Sequence, residues 1–315
     1  MLRFALSRIL SATVTLLGVS VLVFIAVRLV PGRFEEVVLP RGSEELRAQV
    51  AERLGLDQPI LVQYGLWISN FVRGDFGTSL LTGRPVWEEF APRIVVTGEL
   101  ALMALVMSLV FGGALGVAAG FSRRAAAQTS SRLFSAATMS VPDFVIGSIF
   151  LWFFSVYALG LTVGQWVPWS EGVGAHLRSA FIPALTLAIF GIGLISATVR
   201  LSILAVLEQD HITAARLRGL SEGQILRRHV FRNAAISILT VTAIFAGYLL
   251  GGAVLVEFLF SVPGLGRYVL QGILQRDYVV VQAGVMLAAC LFVLINMAAD
   301  LAYAWLDPRL RAGGA

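Results

Sequence analysis

Six stretches of the chain are each about as long as the roughly 20 mostly apolar residues a helix needs to cross a bilayer. They run from about Ile9 to Leu29, Ile94 to Phe121, Phe134 to Leu161, Phe181 to Leu204, Ile236 to Glu257 and Gln282 to Leu306. Lipid offers the backbone no hydrogen-bond partners, so each stretch is read as a helix that satisfies its own amides. Composition supports this reading: 57% of the 315 residues are hydrophobic and 14% charged, against about 45–50% and 25% in a soluble domain. The fold expected is an all-α integral membrane protein with six transmembrane helices. Pro142 interrupts the third segment and predicts a kink there.

The first segment follows Arg3 and Arg8 but outruns a signal-peptide core of about 7–15 residues. No small-x-small cleavage site precedes Pro31. It is read as an uncleaved anchor helix. Arginine placement then orients the bundle. Arg3 and Arg8, then Arg123, Arg124 and Arg132, then Arg216, Arg218, Arg227, Arg228 and Arg232, then Arg309 and Arg311 fall on one side. Short loops opposite hold only Arg178, Arg267 and Arg276. The long Val30–Arg93 loop carries seven arginines against nine acids, and long loops cross largely regardless of charge. Both termini are therefore expected in the cytoplasm. Residues 1–30 form the anchor helix and 31–93 an external loop region. Residues 94–306 form the core, with a cytoplasmic loop at 205–235, and 307–315 a cytoplasmic tail.

Several kinds of chemistry are excluded. All 24 lysine-plus-arginine positions are arginine, so no P-loop lysine, Schiff-base lysine or lysine base is present. Cys290 is the single cysteine, and His176, His211 and His229 lack metal-ligand spacing. The net charge of +5 is clustered beside apolar segments, which reads as membrane topology rather than nucleic-acid binding. Gly112, Gly116 and Gly120 form a small-residue ridge in the second segment, and Gly247 and Gly251 repeat it in the fifth. Such ridges let helix backbones approach closely inside one bundle.

Five ionisable residues fall within or at the ends of spans: Glu99, Asp143, Arg200, Glu257 and Asp300. Each is expected to face protein, a cavity or an interface. Asp143 is expected to cap an amide freed by Pro142, and Arg200 to snorkel from the fourth helix. Glu257 is placed near the outer boundary. Asp300 is taken as the deepest, near the middle of its segment, where a helix–helix hydrogen bond suits it. Asp143, Glu257 and Asp300 are thus candidates for a structural or pathway role.

Between the fourth and fifth segments, Glu208 to His229 is too polar to span but suits two short helices. Gly219 fits the left-handed position just past a helix end. Arg216 and Arg218 complement the dipole of the last turn. Ser221 and Gln224 make a capping box that starts a second helix.

Here the chain resembles the inner-membrane permeases of binding-protein-dependent ABC importers. Their loop reads Glu-Ala-Ala, three residues, then Gly; this chain has Thr213-Ala214-Ala215, three residues, then Gly219. His229-Val230-Phe231-Arg232 stands where the broad pattern has Ile-x-Leu-Pro. The run Arg228 to Ala234 resembles the peptide-transport branch, as do Leu54 to Pro59, Gly74 to Ser79, Gly251 to Glu257, Phe260 to Arg267, Arg276-Asp277-Tyr278 and Leu306 to Arg309. The resemblance covers nearly the whole length.

It implies a coupling helix, carried by Thr213, Ala214, Ala215, Arg216, Gly219, Leu220 and Ser221, inserted into a groove on an ATPase subunit. Small Ala214 and Ala215 would permit close approach, and Gly219 would set the turn. It also implies a second related permease, two ABC ATPase subunits that bind ATP and Mg, and an extracytoplasmic peptide-binding protein. No cofactor is expected in this chain, nor any catalytic or metal residue or nucleic-acid partner. The expected role is translocation of di- or oligopeptides across a bacterial inner membrane, with nickel chelates or glutathione-like peptides as other substrate classes. A proton-coupled transporter would place several acids near midplane in repeated halves, and none of that pattern is visible. Gln58 to Val72, rich in large apolar residues after a proline, is expected to form a helix on the outer surface. Trp166 and Trp169 suit an interface, and Thr78 and Ser79 suit turn hydrogen bonds.

Overall fold

A computed structural model describes residues 2–29, 44–45, 57–157, 159–226 and 230–306; side chains at 2–5, 231–234, 236 and 303–306 are not described. Leu54-Gly55-Leu56, Arg227-Arg228-His229 and the 307–315 tail lie outside the described residues. The long helices are α1 (Leu2–Arg28), α2 (Ile60–Val72), α3 (Val86–Met107), α4 (Gly113–Phe121), α5 (Ala125–Ser140), α6 (Asp143–Tyr157) and α7 (Val173–Leu207). Then follow α8 (Asp210–Leu217), α9 (Glu222–Ile225), α10 (Phe231–Leu259), α11 (Leu265–Gln275) and α12 (Tyr278–Leu306). A π-helical turn, Ser108–Gly112, joins α3 to α4.

Five helical spans are long and apolar enough to cross a membrane: Leu6–Arg28, Val86–Phe121, Val173–Leu207, Ser237–Leu259 and Tyr278–Ala302. The third segment of the sequence is instead a pair, α5 and α6, bent by 95°. Pro142 does more than kink it. The residue before a proline is pushed out of the helical region, and Val141 is extended at φ −94°, ψ 124°. Helix α5 therefore stops, and the Pro142 carbonyl accepts from Val145 and Ile146 to begin α6.

The chain divides into two compact units, Met1–Val96 with Pro263–Val293, and Thr97–Val262 with Leu294–Ala315. In the first, α2 packs on α1. Ser20 Oγ lies 2.7 Å from Tyr64 Oη, Arg28 Nη2 donates to Gln63 Oε1 at 2.6 Å, and Phe24 meets the Tyr64 ring edge-on at 5.3 Å. A helix over Gln58–Val72 was expected, and Pro59 precedes its first residue. Val86, Phe90, Leu265, Val280 and Ala283 form the buried core of this unit. The polar contact beside it joins two distant motifs: Ser79 Oγ donates to Asp277 Oδ2 at 2.6 Å and accepts from the Thr82 amide at 3.1 Å. Arg93 lies 4.2 Å over the Tyr268 ring. Burial and the Glu89 carboxylate push that phenol up, while Arg93 pulls it down, and the neutral phenol keeps the ring a partner for the cation.

The second unit is built on α7, whose apolar window is 67% buried against 33% or less in the other four spans. The Gly112–Gly116–Gly120 ridge lies along it. A Cβ on Gly116 would sit 2.6 Å from Val199 Cβ and 2.8 Å from the Ser196 carbonyl, so only glycine admits this approach. The Gly247–Gly251 pair makes no such seam: Gly247 is buried, while Gly251 is exposed with open space around it.

Candidate functional site

The polar loop after α7 folds as a helix, a tight turn and a second short helix, and each joint has a local cause. At the end of α8 the Leu220 amide donates to the Ala215 carbonyl and the Gly219 amide to the Arg216 carbonyl, the paired bonds of a Schellman motif. That motif needs a left-handed residue, and Gly219 supplies it at φ +83°. Arg218 Nε donates to the Ala214 carbonyl at 3.3 Å. Ser221 and Gln224 then close a reciprocal capping box on α9. Arg216 and Glu222 bridge the two helices at 3.1 Å.

Packing decides which face is available. Ile212, Ala215 and Ile225 are fully buried with Ile203, Val206 and Val230, so the elbow is seated on the ends of α7 and α10. This separates the two alanines. Ala215 is enclosed by its own chain, whereas Ala214, Thr213, Arg216, Gly219 and Ser221 face outward and Leu220 is half-buried. Close approach to another molecule is therefore open at Ala214 and closed at Ala215. Leu217 is the outward residue that motif matching passes over: it is 85% exposed at the apex of the elbow. Helical register carries the signal, since Ile212 and Ala215 are three apart and mark the inner face, leaving Leu217 off it.

The charged residues named from the sequence are not gathered into one site. Asp143, in the first turn of α6, accepts from Tyr248 Oη at 2.8 Å. Glu257 is fully buried and accepts from Thr97 Oγ1 at 2.5 Å. Asp300 is half-buried on α12 and lies nearer the last residue of that helix, Leu306, than its middle. Glu99 meets His176, whose sequence neighbours hold no other histidine or cysteine. His176 is fully buried, with Nε2 2.5 Å from Glu99 Oε1 and Nδ1 2.7 Å from the Val167 carbonyl. Trp169 stacks on its ring at 3.9 Å and donates to Glu99 Oε2 at 3.2 Å. Because a carbonyl only accepts, Nδ1 is the donor to Val167. The cluster fastens the segment around Trp169 to α7; no lone histidine shows this in sequence.

Apolar helices long enough to cross a membrane, with a short polar elbow seated on buried supports, give the chain the build of a membrane protein. The comparisons give it a family. Residues 112–312 match the model for the binding-protein-dependent transport system inner membrane component, and residues 1–101 match the N-terminal component of such systems. A probable peptide ABC transporter permease of Sinorhizobium fredii is 36% identical over 98% of this chain and 99% of its own. A dipeptide transport system permease of Alkalihalophilus pseudofirmus is 32% identical over 99% and 100%. A glutathione transport system permease of Salmonella paratyphi A is 37% identical over 99% of each. In fold, the chain is similar to one from an inward-facing methionine ABC transporter, at a TM-score of 0.57 and 17% identity, over 69% of this chain and 96% of that one. The chain belongs to the binding-protein-dependent ABC transporter permeases, multi-pass proteins of the bacterial inner membrane.

Proposed function

We propose that the chain is one translocation subunit of an ATP-driven importer of di- or oligopeptides. The observation that carries this is the elbow: its inner face is locked into the bundle and its outer face, Thr213, Ala214, Arg216 and Leu217, is free to engage a partner. Work done on such a rigid projection is transmitted to α7 and α10 rather than absorbed by a loose loop. The partners are two ABC ATPase subunits, which hold the ATP and Mg, a second related permease and an extracytoplasmic peptide-binding protein. Both termini and the elbow lie in the cytoplasm, in line with the arginine distribution. The permease itself is non-catalytic. Nucleotide-driven closure of the ATPases shifts the bundle between inward- and outward-facing states, each favoured by a different ligand. Peptide names among full-length relatives support the substrate class, and the glutathione permeases favour a small peptide of that kind as the second reading.

Reconstitution tests it. In proteoliposomes that hold all the partners, labelled dipeptide uptake should require ATP on the elbow side. Uptake driven by a proton gradient without nucleotide would contradict it.

A further inference from the structure

Between the elbow and the ends of α4 and α7 lies a cavity of about 400 Å³ with a charged wall. Arg123 lines it from the α4–α5 connection, Gln128 from α5, Arg216 and Glu222 from the elbow, and Leu204 and Leu207 from the last turns of α7. Glu222 lies 3.1 Å from Arg216 and so answers one of the two arginines. Arg123 forms no ion pair among the described residues. The cavity therefore carries a net positive charge.

The sequence sets its level in the bilayer. No charged residue falls between Glu99 and Arg123, and the helical run from Glu99 to Phe121 rises about 33 Å at 1.5 Å per residue. That uncharged run accounts for the whole hydrocarbon core, about 30 Å thick. Both flanking charges thus stand at polar boundaries, and Arg123 is at the level of lipid phosphates on the elbow side.

A second cavity, of about 340 Å³, shares the Ser122 wall of the first. Leu115, Ala118 and Ala119 line it, one to two helical turns from Ser122 toward the middle of the uncharged run. Ser131, one turn along α5 from Gln128, lines it too, and its buried Oγ has no hydrogen-bond partner among the described residues. A buried hydroxyl gains when an acceptor reaches it. Guanidinium groups at the polar boundary suit a phosphate. A neutral donor among apolar walls suits an ester and its acyl chain. A free phosphate would fill the first cavity and leave the second idle, whereas a phospholipid uses both.

We propose that the two cavities seat one anionic phospholipid, with its phosphate between Arg123 and Arg216, an ester carbonyl accepting from Ser131 and an acyl chain along Leu115 and Ala118. The assignment is independent of what the chain transports and of its contact with an ATPase.

Native mass spectrometry of the full chain, released from detergent with phosphatidylglycerol or phosphatidylcholine added, tests it. One phosphatidylglycerol should be retained per chain, with a Kd about fivefold or more below that of phosphatidylcholine, whose choline sets a positive charge beside the arginines. Arg123→Gln should remove that preference and Arg123→Lys should keep it. Arg132→Gln, at an exposed arginine that lines neither cavity, should change nothing. Ser131→Ala should weaken both lipids alike, because the ester is common to them. Equal affinity for the two lipids, a preference that survives Arg123→Gln or falls equally with Arg132→Gln, or no effect of Ser131→Ala overturns the proposal. So does Arg123-dependent retention of inorganic phosphate with no lipid retained, which would make the occupant a soluble anion.

Discussion

Two buried carboxylates show how the interior of this permease is held at single residues. Asp143 keeps one described hydrogen bond, from Tyr248, while its Oδ1 has no partner. Tyr248→Phe therefore strips the carboxylate of its described donor and should lower stability by about 1–3 kcal/mol, read as a drop in thermal unfolding temperature in detergent. An unchanged midpoint would show that water already does the work of the hydroxyl. Thr97→Val removes the 2.5 Å donor to Glu257 and should cost a similar amount, about 1–3 kcal/mol, with Thr97→Ser restoring most of it. Both carboxylates stand out in the sequence as charges inside apolar runs. Their partners do not, because they lie 105 and 160 residues away and neither a tyrosine nor a threonine is unusual in such a helix. Its place just after Pro142 predicts that Asp143 caps its own helix end; the structure gives it Tyr248, on another helix, instead.

At the level of elements, what could be read in advance is what has a local cause. The elbow is legible because a positive-φ glycine and a Ser-x-x-Gln capping box act within a few residues of chain. The break at Pro142 is only half legible: proline announces a disturbance, but a 95° bend depends on Val141 extending and on what surrounds it. The glycine ridges illustrate the limit. Spacing is the same in α4 and α10, yet only the α4 ridge meets a neighbour along its length. Gly116→Leu should overlap Val199 and the Ser196 carbonyl and destabilise the bundle by about 1–3 kcal/mol or more, whereas Gly251→Leu should leave the midpoint nearly unmoved. Equal effects at the two sites would contradict the packing described. In the elbow itself, Gly219→Val forces a β-branched residue to φ +83°, at a cost of about 1–2 kcal/mol. Insertion should survive while ATP-driven uptake falls sharply; unaltered coupled uptake would speak against a mechanical role for this turn.

For the whole molecule, the first compact unit is assembled from pieces at opposite ends of the chain. Ser79 and Asp277, separated by 198 residues, close it with one buried hydrogen bond. Two short motifs that look unrelated in sequence thus belong to one local structure, and no periodicity announces such a meeting. The elbow belongs to the second unit, where its buried face ties it to the helices it is proposed to move. The central claim is that a partner ATPase grips this projection from inside the cell. It is tested most directly by cross-linking from Leu217→Cys, in a Cys290→Ala background, within the assembled transporter. The account predicts a cross-link to an ATPase subunit whose yield changes when ATP is trapped, together with protection from impermeant thiol reagents added outside intact cells. Labelling of Leu217→Cys from outside, or an elbow that cross-links to no ATPase in any nucleotide state, would contradict it.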